Sequence, residues 1–188
     1  MPQFLLHHAL AFNPQRRHGY SIEPYLTWDV RYPPTYASHD RYGLSSSMLN
    51  QPATNPPVPV FRIVCGLLPH RSWSVEVVPR HGRVVTVGDV LDALYSGLRH
   101  RVSGSEWAEA SRSHQARVAE AFYSRARTTS YMYSRGKGEK ERAYYEEKEK
   151  SAGVRRVDWL VRSTVFVGLT PSVERAYTWT LTLKRAEK

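Results

Sequence analysis

An α+β fold, with a mixed and mostly antiparallel sheet and helices packed on one face, is what this sequence predicts. Two observations carry the prediction. Strand-like segments come first, helix-like segments follow, and strand-like segments return at the end of the chain, an order that suits a sheet with its helices segregated together. Residues 73–102 then read as strand, turn, strand and amphipathic helix in one continuous run.

That run is explicit. Trp73, Val75 and Val77 alternate with Ser74 and Glu76, the period-two pattern of a half-buried strand. Pro79, Arg80, His81 and Gly82 suit a hairpin loop, and 84–87 resumes the β-branched pattern. Thr86 stands three residues before Asp89, the spacing of a capping box at a helix start. At 100° per residue Val87, Val90, Leu91, Leu94, Tyr95, Leu98 and Val102 share one arc, which leaves Asp89 and Asp92 on the wet side. Gly97 lies at the arc's edge, where the expectation is a closely packed neighbouring backbone. A hairpin feeding a helix, with later strands returning, is also how a β-grasp domain begins.

The remaining elements follow in order. Residues 1–24 and 36–50 are loop-rich, with a short strand candidate at 25–28 and a mobile loop expected over 41–50. The proline-rich stretch 52–59 is extended, because each residue before a proline is pushed towards β or polyproline geometry. It leads into a strand at 60–65. A second helix spans 113–127, with Val118, Ala119, Phe122, Tyr123 and Ala126 on its apolar side. A mobile loop at 130–138 precedes a charged third helix at 139–150, supported by pairs such as Glu146 with Lys150 and stopped by Gly153. Strands at 165–167 and 179–183 close a single domain spanning 1–188.

Composition bounds the function. The chain has 188 residues and a net charge of +10, spread along its length apart from one concentration. That concentration holds Arg112, Arg117, Arg125, Arg127, Arg135 and Lys137 against Glu120 alone, interleaved with Tyr123, Tyr131 and Tyr133. Guanidinium groups for phosphates and aromatic faces for bases are the chemistry of single-strand nucleic-acid binding. A solvated helix face followed by a loop accounts for the same residues and is the preferred account. Asp29 and Asp158 each adjoin a tryptophan, and with Arg156 they form the polar-site candidates. A carboxylate beside an indole in a dry cleft can serve as an acid–base group. The favoured account is structural, with each Asp accepting backbone N–H bonds while Trp28 and Trp159 fill the core.

Other chemistries lack their patterns. The histidine spacings hold no metal motif, and His7 and His8, as neighbours, are expected to project in different directions. Gly136–Lys140 lacks the phosphate-loop spacing. No catalytic residue, cofactor or metal is expected. Cys65, the one cysteine, ends an apolar run and reads as an inert buried thiol. No apolar run approaches eighteen residues, and 4–12 makes a poor signal peptide, so an intracellular protein of the cytoplasm or nucleus, with no membrane span, is expected.

Several segments, taken in order, resemble a fungal domain family of unknown function found mainly in basidiomycetes. They are Trp28-Asp29 with Arg31 and Pro33-Pro34, the stretch 52–57, Trp73-Ser74-Val75, the stretch 85–91, and 155–160 leading to Gly168-Leu169. The resemblance implies one α+β domain in an intracellular fungal protein and transfers no activity. Function is expected to be that of a non-catalytic protein-binding module. Nucleic-acid binding through 112–137 and a small enzyme using Asp29 or Asp158 are the alternatives.

Overall fold

The computed structural model describes residues 4–15 and 24–186, together with the backbone of a two-residue strand pair between them, so part of the loop-rich 1–24 stretch lies outside the described residues. The chain forms two compact units, residues 1–97 with 163–188, and residues 98–162. The fold class is α+β, as the sequence predicts.

The first unit begins with β1 (Leu5–Leu6), β2 (Arg17–His18) and β3 (Ser21–Ile22). A tight hairpin of β4 (Ser38–His39) and β5 (Tyr42–Gly43) follows, turning through Asp40 and Arg41, both at positive φ. Helix α1 (Ser46–Leu49) is capped by the Ser45 hydroxyl, which accepts from Met48 N–H. The expected mobile loop over 41–50 is therefore a hairpin and a helical turn, because Ser45 competes for a backbone N–H rather than for water. Strand β6 (Thr54–Asn55) pairs with β1, and a cis peptide bond joins Asn55 to Pro56.

The main sheet contains β7 (Phe61–Val64), β8 (Val75–Val77), β9 (Val165–Pro171) and β10 (Thr178–Lys184), in the order β8-β7-β10-β9. The two central strands, β7 and β10, run parallel, and each outer strand is antiparallel to its neighbour. The first and last strands of this sheet thus lie side by side in its middle, and the helices between residues 87 and 159 separate its two antiparallel pairs in the chain. One face is apolar: Phe61, Ile63, Val75, Val77, Trp179 and Leu181 are buried, and Phe61 stacks on Trp179 at 3.6 Å. Helix α2 (Val87–Leu98) belongs to this face, since Gly97 lies where a Cβ would stand 2.6 Å from a Val75 methyl. The close neighbour expected at Gly97 is thus a side chain, not a backbone. Leu91, Leu94 and Leu98 are all buried.

The expected hairpin after Trp73 does not form. Val75–Val77 pairs back to β7, and Trp73 itself ends a 3-10 turn. Residues 85–87 bond instead to the proline-rich stretch: Ala53 N–H donates to Val85 C=O, Val85 N–H to Val58 C=O and Val87 N–H to Gln51 C=O. The stretch 52–59 is not extended throughout as predicted: it bends at Ala53, Pro56 and Pro59, with the cis bond at Asn55–Pro56, so that Ala53 and Val58 both reach Val85. The capping box does form, with Asp89 N–H donating to Thr86 Oγ1 and Thr86 N–H to Asp89 Oδ2.

The second unit contains α3 (Gly104–Ala108), α4 (Arg112–Tyr133), α5 (Glu139–Ser151) and the single turn α6 (Arg156–Trp159). Its short first helix carries a full capping box between Ser103 and Glu106. Helix α4 continues six residues beyond the predicted end, so the loop expected over 130–138 is helical through Tyr133, with Ser130 and Ser134 buried. Gly153, at φ +75°, follows α5 as its predicted stop. Glu146 and Lys150 pair at 2.7 Å.

Candidate functional site

The basic and aromatic residues of 112–137 divide between two faces of α4. Arg112, Tyr123, Arg127 and Tyr131 are exposed, and the last three form a stripe at i, i+4 spacing. Arg117, Tyr133, Arg135 and Lys137 are exposed as well. Tyr123 was expected on the apolar side and is 53% exposed. The Arg142 guanidinium lies 4.9 Å from the Tyr131 ring centroid, and Lys137 lies 5.4 Å from that of Tyr145.

Arg125 is the exception, and it corrects the sequence reading. It is 1% exposed and cannot meet a ligand at the surface. Its Nε and Nη2 donate to the two carboxylate oxygens of Asp158 at 2.7 and 2.9 Å, a bidentate pairing. Its Nη1 donates to Glu149 at 2.6 Å, and Nη2 also reaches Gly153 C=O. Glu149 accepts further from Arg155 at 2.9 Å and from Arg99 at 3.4 Å. Burial, with the Arg125 and Arg99 charges beside it, lowers the pKa of Arg155. The cluster joins α4, α5 and the turn into α6 through a satisfied buried network.

The two aspartates are held by close polar contacts. Asp158 accepts Arg155 N–H in addition to Arg125. Asp29 accepts Arg31 N–H, the Arg31 guanidinium at 2.6 Å and the Thr164 hydroxyl. Each carboxylate is paired with an arginine and a backbone N–H. Arg156 is part-buried, and burial lowers its pKa while Glu106 raises it. Asp89 corrects another expectation: it is 5% exposed, not wet. Burial raises its pKa, but hydrogen bonds from Thr86 and Arg80 outweigh that and hold it below the usual carboxylate value. With Arg80 and Asp92 it lines a cleft of about 620 Å³ beside α1.

Histidines do gather in one place. The His7 and His8 rings are 4.2 Å apart, so they do not diverge, and Tyr25 stacks on His39 at 3.8 Å while standing edge-on to His8. Ala9 N–H donates to His7 Nδ1, which puts the His7 proton on Nε2, within 2.8 Å of Gln51 Oε1. Among the described residues no three ligating side chains converge to hold a metal. Burial, then His7 and His39, lowers the pKa of His8; burial, then Arg117, lowers that of His114. Both folded values lie below the ordinary 6.5, so the unfolded chain takes up protons first as pH falls. Stability is present above about pH 6.5 and declines below it. A urea midpoint that falls from pH 7.5 to 5.5, and falls less in a His8→Gln, His114→Gln variant, is the expected result; a constant wild-type midpoint would refute it. Cys65 is half-buried rather than fully buried as expected, and burial pushes its thiol pKa up.

A further feature was not legible in the sequence. The Arg62 N–H donates across to the C=O of Tyr177, the residue just before β10, so in the Arg62–Glu76 pair Glu76 turns its own N–H and C=O away from β7. Among the described residues no backbone partner meets Glu76 or Val78 on that side. The opposite edge is covered, since Phe12 N–H donates to Leu169 C=O and Leu169 N–H to Leu10 C=O.

These features define an α+β fold whose main sheet has one covered edge and one open edge. Residues 26–177 match the family of unknown function DUF6699, and the chain belongs to that family. No curated protein and no solved structure matches it. No described helix is long and apolar enough to cross a membrane.

Proposed function

We propose that this chain is a non-catalytic protein-binding module, a single domain over 1–188, whose partner adds an extended strand to the outer edge of β8. The open edge at Glu76 and Val78 is the observation that carries the reading. Main-chain hydrogen bonds supply affinity in such strand addition, and alternate side chains supply selectivity. Val78 is 61% exposed and offers an apolar contact. Arg71 and Arg83, both exposed, stand on either side of the strand in the chain, against the one acid Glu76. A partner segment with acidic side chains and β-branched residues fits that balance. An intracellular, fungal-type protein is the setting the reading assumes.

Nucleic-acid binding through 112–137 has less support. Its central guanidinium, Arg125, is spent on Asp158 and Glu149, and Glu120 is exposed on the same helix.

The test uses Glu76→Pro. Proline is tolerated on an edge strand where the N–H faces outward, so the fold survives while the donor is lost. Extended peptides selected from a displayed library against the wild-type chain are expected to protect the Glu76 and Val78 amides from hydrogen exchange. They are expected to bind the proline variant about tenfold more weakly. Equal affinity for the two proteins would remove the edge as the interface.

A further inference from the structure

A second concave site lies away from β8, between the N-terminal segment and the turn that joins β9 to β10. It is a groove of about 440 Å³ with a mainly apolar lining. Its wall includes Phe4, Phe12, Leu169 and Trp179. Tyr177 stands just before β10 at φ +55°, a conformation disfavoured for a tyrosine. Its carbonyl is pinned by Arg62 N–H, and its ring packs 5.4 Å from Phe4 while remaining 41% exposed. The backbone strain thus presents an aromatic ring at the groove rather than burying it.

Trp179 is 1% exposed, and its indole Nε1–H is buried with no acceptor among the described residues. That atom has no exposed surface, so the indole meets the groove as apolar wall. Arg175 lines the same groove, is exposed, and forms no ion pair with any described carboxylate. An apolar wall and one cation describe the binding of a small amphiphilic acid.

We infer that this groove binds a small apolar carboxylic acid, its carboxylate held by Arg175 and its hydrocarbon body lying against Phe4, Phe12 and Tyr177. The site is separate from the β8 edge, so it stands or falls independently of the strand-addition reading.

Octanoate and octan-1-ol are the probes, titrated into the full chain below micellar concentrations and followed by isothermal calorimetry and by the Trp179 indole N–H resonance, assigned with Trp179→Phe. Octanoate is expected to bind with one-to-one saturation and to shift that resonance, and the alcohol about tenfold more weakly. Arg175→Gln is expected to abolish the preference for the acid. Tyr177→Gly relieves the positive-φ strain, so it keeps the fold while removing the ring, and it is expected to weaken both probes about fivefold or more. Absence of saturable octanoate binding, equal affinity for acid and alcohol, or unchanged binding in Tyr177→Gly would each overturn the inference.

Discussion

Arg125→Ala is expected to destabilise the unit 98–162 by about 3–5 kcal/mol, a large share of the total stability of a domain this size. The change removes a guanidinium that is 1% exposed and leaves Asp158, also buried, without its bidentate partner. A carboxylate stripped of its cation in a dry interior costs far more than a surface pair contributes. Glu149 loses less, because Arg155 and Arg99 remain beside it. Arg125→Lys keeps the charge but cannot span Asp158, Glu149 and Gly153 together, so an intermediate loss is expected. Urea unfolding followed by the helical signal decides the matter. An Arg125→Ala variant within about 0.5 kcal/mol of wild type would show that the network contributes nothing. Charge reversal at Arg125 is no probe of nucleic-acid binding, since any loss would report unfolding.

The second large effect falls on the covered edge of the sheet. Gly168 sits at φ +151°, and a Cβ there would lie 2.5 Å from the Cα and N of Phe12. The obstacle is backbone, which cannot rotate aside as a side chain can. Gly168→Ala is therefore expected to cost about 3 kcal/mol or more, from the disfavoured dihedral and the displaced segment together. It should also break the bonds by which Leu10 and Phe12 cover Leu169. Hydrogen exchange at the Leu169 amide should speed up with the loss of stability, and a newly bare strand should raise the tendency to aggregate. Gly66→Ala, where nothing lies within 4 Å, is the control and should be near neutral. A Gly168→Ala protein with wild-type stability and an unchanged Leu169 amide would refute the close approach.

Local chemistry was readable wherever partners are near in sequence. Thr86 and Asp89 announced the start of α2, Glu146 and Lys150 the ladder of α5, and Gly153 its end. Leu91, Leu94 and Leu98 announced the buried face by their spacing. The β8 error has a physical cause: alternation makes a segment strand-like without choosing its partner. The nearer run at 84–87 looked sufficient, yet β7 supplied the ladder to β8, and the proline-rich stretch took residues 85–87. Arg125 left a faint signal, since it lies seven residues after Val118 and three after Phe122, on the side that both bury. Its partner Asp158 is 33 residues away, and no periodicity reaches that far.

By itself the sequence determined the α+β class, the caps and stops of its helices and which faces are apolar, because these depend on side chains within a turn or two of one another. Only the tertiary structure decided that β7 and β10 lie side by side, that one sheet edge is covered and the other bare, and that the most central arginine of the basic segment is buried. Those outcomes rest on pairings between residues tens of positions apart, where closure of the chain and desolvation of charge, not local preference, select the partner.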